Sequence, residues 1–119
     1  MTDLFHGTSE RRFRQIIADG IIRCAPYGDR HVSTSRSVDV ARHFAEMACD
    51  ADECDHGHCG RRVVFAIDME GLMRAGYGLR EFVSENSYDD EQEMACLDDI
   101  PVAYVSRIEF IGNEQWRME

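Results

Sequence analysis

The sequence predicts a single α+β domain, and three observations carry that reading. Two stretches at helical spacing alternate with short β-type runs up to residue 69, and beyond it only strand signals and one long loop follow, giving the order β-α-β-α-β-loop-β-β with short sheets. The chain has 119 residues, enough for one core and not for two. With 44% hydrophobic and 30% charged residues it has an ordinary globular balance, which excludes wholesale disorder. No apolar run approaches the ~20 residues of a membrane span, and no signal peptide opens the chain. The expectation is one cytoplasmic domain covering residues 1–119.

The elements follow in order. Residues 2–6 read as a short first strand, and Gly7-Thr8-Ser9 breaks it. Ser9 is suited to cap a helix over 9–19, in which Phe13, Ile16 and Ile17 share a face and Gly20 marks the stop. Ile21-Ile22 begin a second apolar segment, and Cys24 to Arg30, with Pro26 and Gly28, form a loop. His31 to Ser35 read as a hydroxyl-rich strand. Ser37 and Asp39 offer capping chemistry for a helix whose apolar face is Val40, Ala41, Phe44, Ala45 and Ala48. Residues 49–61, rich in Cys, His, Asp and Gly, read as a loop. Arg62 to Met69 is the strongest strand signal. Residues 76–90 read as a long loop, of the kind that often carries function. Glu91 to Leu97 reads as a strand edge and Val102 to Ile111 as the last strand.

Charge narrows the partners. The net charge is −10, and all 13 basic residues are arginine. Residues 1–48 hold 7 Arg against 6 acids, and residues 49–119 hold 6 Arg against 17 acids. Such asymmetry suggests two working surfaces, one able to take an anionic ligand and one able to face a basic protein. A solvated acidic surface that only keeps the protein soluble explains the second equally well. Direct nucleic-acid binding is disfavoured. Five cysteines, an odd number, argue against a disulfide framework and for a reducing compartment.

Three short pieces carry chemistry: His6-Gly7-Thr8 after a strand, Ser33-Thr34-Ser35 on a strand feeding a helix, and Glu91-Gln92-Glu93 where a loop meets a strand. Each alone is weak: a turn before a capped helix, a polar edge strand, and a chance pair of acids in an acidic chain. In this order, from Leu4 to about Ile111, they resemble the ADP-ribosyltransferase superfamily. The resemblance implies a split β-sheet core with two flanking helices, and His6, Ser33 and Glu93 as its catalytic and binding triad. It implies NAD as substrate, bound by His6, Gly7, Thr8, Ser33, Thr34, Ser35 and Phe44. Phe44 would stack on nicotinamide; its plain alternative is a core residue of an amphipathic helix. Glu91 would orient or deprotonate the acceptor, and Tyr88, near the tip of loop 84–90, would contact a protein target. The sequence departs from the family by lacking an aromatic at Ser33, which makes chain elongation unexpected, and by opening on His6 and not on arginine.

The chemistry supports the assignment separately. Cleaving the nicotinamide bond develops oxocarbenium character on the ribose, as in glycoside cleavage, and a fixed carboxylate beside it stabilises that charge. At about 4 Å and an effective dielectric of about 20 such a contact is worth about 4 kcal/mol, roughly a thousandfold in rate. Glu93 is the candidate, with the Ser33 hydroxyl placing it. His6 would hold a ribose hydroxyl, and Gly7 would let the backbone approach the nicotinamide amide.

A second cluster is Cys49, Cys54, His56, His58 and Cys59, enough for a tetrahedral zinc. An exposed acidic loop and a Cys54–Cys59 disulfide remain open there. No metal is expected in the chemistry itself. The resemblance favours a mono-ADP-ribosyltransferase acting on a protein, such as a phage or bacterial effector, toxin or anti-CRISPR, whose target is a basic nucleic-acid-binding protein. The alternatives are an NAD glycohydrolase and a non-enzymatic acidic binding module. An RNA 2′-phosphotransferase shares the fold but needs basic residues for its substrate phosphate.

Overall fold

The computed structural model describes residues 3–23, 32–57, 60–81, 93–96 and 98–111. The chain is α+β, as expected. Strand β1 (Asp3–Ser9) leads into helix α1 (Glu10–Asp19), then β2 (Ile21–Ile22), β3 (Val32–Ser35) and helix α2 (Val38–His56). Strand β4 (Arg62–Asp68), helix α3 (Met69–Arg74), β5 (Leu79–Glu81), β6 (Glu93–Cys96), β7 (Ile100–Pro101), a 3-10 turn at Val102–Tyr104 and β8 (Val105–Ile111) complete it. Among the described residues the main sheet has six strands in the order β5-β6-β3-β1-β4-β8, and β2 pairs with β7 in a second, two-stranded sheet.

The helix boundaries follow from capping. The Ser9 hydroxyl accepts the Arg12 N–H at 3.2 Å to start α1, and the Gly20 N–H donates to Ile16 O at 2.8 Å to end it. The Ser37 hydroxyl accepts the Val40 N–H at 3.4 Å to start α2. The Asp68 carboxylate accepts the Gly71 N–H at 3.1 Å to start α3.

Gly7-Thr8-Ser9 does not break the first strand, since all three residues pair with β4 as far as Ser9↔Arg62, and the last strand starts at Val105 and not at Val102. Three further expectations need correction. The helix α2 continues to His56, so most of the stretch read as a loop over 49–61 is helical. Its buried residues Ala41, Ala45, Cys49 and Asp52 form one stripe at spacings of four, four and three, so a helical period persists through the polar composition. Gly57, at φ 85°, closes the helix by donating its N–H to Glu53 O at 3.0 Å, a conformation that costs other residues more. Second, β5 lies inside the stretch read as a loop over 76–90. Third, α3 makes a third helix where two were expected.

Two cores lie on opposite faces of the sheet. On one, Leu4, Val63, Phe65 and Ile67 pack with Ile22, Leu72 and Ile100, and Phe13 and Ile16 of α1 cover them. On the other, Ala41 and Ala45 of α2 pack on Val64, with Phe5 and Val38 beside them. Alternation along β1 sends Leu4, His6 and Thr8 to the first face and Phe5, Gly7 and Ser9 to the second.

Strand β1 is antiparallel to β4 over seven registered positions, from Asp3↔Asp68 to Ser9↔Arg62. Among the described residues it also registers with β3, at Phe5↔Ser35. The seam of β1 and β3 joins β5-β6-β3 to β1-β4-β8 in one sheet.

Candidate functional site

The seam brings together the strands that carry the three sequence pieces. Strand β3 pairs with β6 through Val32↔Cys96, Ser33↔Ala95, Thr34↔Met94 and Ser35↔Glu93. The register therefore runs Ala66, Phe5, Ser35, Glu93 straight across four strands. His6 stands one residue along β1 from that row, and Ser33 two residues along β3 from it. Sites 87 residues apart in sequence, His6 and Glu93, occupy strands separated only by β3.

The side chains divide between the two faces. His6 is half-buried and stacks toward Phe65, ring centroids 6.3 Å apart with an interplanar angle of 23°. Ser35 shares its register position with Phe5, which faces α2, so His6 and Ser35 point to opposite sides of the sheet. Thr8, Thr34 and Ser35 are buried. The Ser35 hydroxyl accepts the Ser37 N–H at 3.0 Å and so holds the turn into α2. Ser33 and Glu93 are fixed as strand positions only, and Glu91 and Tyr88 lie outside the described residues. Phe44 is half-buried on α2 and belongs to neither core cluster.

Gly7 has a packing role that the sequence did not reveal. A Cβ built there would stand 1.9 Å from Ala41 O and 2.7 Å from Ala45 N. The missing side chain lets the backbone of α2 rest directly on β1, between two alanines of its buried stripe.

Cys49 and Cys54 of the cysteine-histidine cluster do not face one metal centre. Cys49 is buried, and its thiol donates to Arg61 O at 3.7 Å, while Cys54, five residues on along the same helix, is exposed. Five residues turn a helix by about 140°, so the two sulfurs diverge. Among the described residues no group of three or more metal-binding side chains converges; His58 and Cys59 lie outside them.

Two ionic arrangements were not anticipated. Asp52 of α2, 1% exposed, accepts a hydrogen bond from the Ser9 hydroxyl and pairs with Arg12 at 3.4 Å and Arg11 at 4.0 Å. Ser9 thus caps α1 with its oxygen and ties α2 to it with its proton. Glu10 accepts from the Arg61 N–H at 2.8 Å and from Arg61 Nε and Nη2 at 3.1 and 3.0 Å. Those bonds hold its carboxyl at about 2. The Arg61 guanidinium in turn lies 4.3 Å over the Phe110 ring. Asp52 falls in the stretch whose composition suggests a loop; its spacing from Ala41, Ala45 and Cys49 is the signal that sets it on the buried face of α2.

An open cavity of about 560 Å³ lies between α2 and β8, bordered by Arg42, His43, Glu46, Arg62 and Glu109. Its charges pair across it: Arg42 donates to both Glu109 oxygens at 2.8 Å and to Asp39 at 3.1 Å, and Arg62 approaches Glu46 at 3.7 Å. The Arg42 hydrogen bonds lower the Glu109 pKa. Among the described residues, none of those expected at the site borders this cavity.

Comparison with solved structures finds the same fold in protein CC0527 from Caulobacter crescentus. The two are 17% identical, with a TM-score of 0.58, over 92% of this chain and 85% of that one. A double mutant of that protein matches over the same shares, at 16% identity and a TM-score of 0.58. Neither the protein-family models nor the curated proteins give a match. No helix among the described residues is long and apolar enough to cross a membrane.

Proposed function

We propose that the chain is a mono-ADP-ribosyltransferase that cleaves NAD and transfers ADP-ribose to a protein. The observation that carries the reading is the adjacency of β1, β3 and β6, which sets His6, Ser33 and Glu93 on three neighbouring strands of one sheet. His6 and Ser35 face opposite sides of that sheet, so the reading requires NAD to reach both across the seam of β1 and β3.

In the reaction the bond from ribose C1′ to the nicotinamide nitrogen breaks, and nicotinamide leaves with the electron pair. Glu93 steadies the sugar cation, and Ser33 orients Glu93. His6 holds a ribose hydroxyl, and Phe44 supplies an aromatic face for nicotinamide. The acceptor nitrogen or oxygen of the target bonds to C1′ and gives its proton to Glu91. Tyr88 anchors the target. A chain with net charge −10 favours a target with a basic surface, as expected for an effector that disables a nucleic-acid-binding protein.

The test is nicotinamide release from NAD by wild type and Glu93→Ala, with and without a cell lysate as acceptor source. Release that depends on Glu93 supports the reading, and none from wild type under either condition overturns it. Glu91→Ala separates transfer from hydrolysis: loss of lysate-stimulated release with basal release intact assigns Glu91 to the acceptor. Equal activity in the two proteins, with no stimulation by lysate, makes the chain an NAD glycohydrolase.

A further inference from the structure

We propose that β8 is a self-association edge, which pairs antiparallel with the β8 of a second copy about a two-fold axis through Ile108. Strand β8 ends the sheet order, and among the described residues it pairs with β4 alone. A seven-residue edge presents a row of backbone donors and acceptors to any strand that fits. The sequence of this edge says which strand fits. Centred on Ile108, antiparallel pairing sets Arg107 opposite the partner's Glu109, and Glu109 opposite the partner's Arg107. Ile108, 39% exposed, meets its own copy.

No nearby register does this. Centring on Arg107 or on Glu109 places like charges opposite each other, and a half-step shift in either direction leaves neither charge facing the other. Directly opposed side chains lie about 4.5–5.5 Å apart at Cβ, so such contacts discriminate between registers. The pairing is isologous and closes on itself, which avoids the open-ended stacking that a bare edge invites.

The surroundings suit the arrangement. Arg42 already fixes Glu109 through both oxygens, which leaves the outer lone pairs of that carboxylate for a second guanidinium. Arg107 is 70% exposed and approaches Asp3 only at 3.6 Å, so it can turn toward a partner. A register irregularity at Ala66/Ile67 sets Ser106 out of the β4 ladder, and its hydroxyl donates to Ala66 O at 3.2 Å. That bulge limits regular pairing to the middle of the strand, so the dimer is a weak one, with Kd on the order of 100 μM.

Sedimentation equilibrium of the full chain between about 10 μM and about 1 mM tests this. Wild type is expected to dimerise across that range. Arg107→Glu and Glu109→Arg each replace two attractive contacts with two repulsive ones, and each alone should raise Kd at least about tenfold. Mixed in equal amounts, the two variants regain opposite charges at both positions and should associate as wild type does. Arg107→Glu leaves the Arg42–Glu109 pair intact, so it carries the test if Glu109→Arg unfolds. Ile108→Cys gives a second readout, an oxidised dimer whose crosslink maps by mass spectrometry to residue 108 in both copies. A wild type that stays monomeric at the top concentration, or variants that dimerise like wild type, or a mixture no tighter than its components, overturns the proposal.

Discussion

Replacing Gly7 by alanine tests how β1 and α2 fit together. The added methyl would lie 1.9 Å from Ala41 O and 2.7 Å from Ala45 N. Both are backbone atoms of a helix, so no rotamer change relieves the overlap. The helix must lift from the sheet, and Ala41, Ala45 and Val64, each at most 2% exposed, would lose contact together. Overpacking of a tight core costs about 1–3 kcal/mol, and a rigid backbone neighbour puts this case at the upper end, about 3 kcal/mol. An unfolding entropy of about 2.1 cal/mol/K per residue makes that a fall of about 12 °C in Tm for a chain this long. Thermal unfolding followed by circular dichroism measures it. A Tm within about 2 °C of wild type would refute the reasoning, because it would mean that α2 does not rest on Gly7.

Three more predictions concern stability and exposure. Asp52→Ala should cost about 2 kcal/mol in urea unfolding, because the buried Ser9 hydroxyl loses its acceptor and two arginines lose their partner; an unchanged midpoint contradicts it. Glu10 is held at about 2 against an ordinary 4.5, so its contribution is complete above pH 4.5 and fades as pH falls toward 2. Glu10→Gln should therefore flatten the acid limb of the stability profile in that window, and an unaltered limb counts against the Arg61 bonds. In the native protein a maleimide should modify Cys54 and spare Cys49 and Cys96, both buried, until unfolding; peptide mapping that finds Cys49 or Cys96 labelled first contradicts the packing of α2 or β6.

Local structure is legible where single residues carry the signal. Ser9 and Gly20 bracket α1 because capping chemistry is written in single residues, and the apolar run of β4 declares a strand buried on both faces. In the second half of α2 composition competes with period: cysteine, histidine and aspartate suggest a loop, yet Cys49 and Asp52 continue the stripe begun by Ala41 and Ala45. Helix α3 was hidden at the tail of the β4 signal, although Asp68 three residues before Gly71 offered a cap. Strand β5 was hidden because three residues beside glycines carry little periodicity of their own; pairing with β6 defines it.

At the candidate site, the hydroxyls and the acids were legible as residue types in order. Register was not. Alternation tells which residues of one strand share a face, but nothing within His6 to Ser9 or Ser33 to Ser35 fixes how those strands align across the separating helix. The offset that leaves His6 on the Phe65 face and Ser35 on the Phe5 face is set by the whole ladder of β1 on β4 and by the pairing of Phe5 with Ser35 of β3. The packing use of Gly7 was illegible for the same reason, since it depends on α2 crossing at that point.

The most direct measurement is covalent transfer itself. Incubation of the protein with isotopically labelled NAD in a bacterial lysate, followed by mass spectrometry of modified peptides, should find ADP-ribose on a basic protein with wild type and on nothing with Glu93→Ala. Labelling that survives the loss of Glu93, or a lysate left unlabelled by a wild type that also releases no nicotinamide, would contradict the assignment of this seam to NAD chemistry.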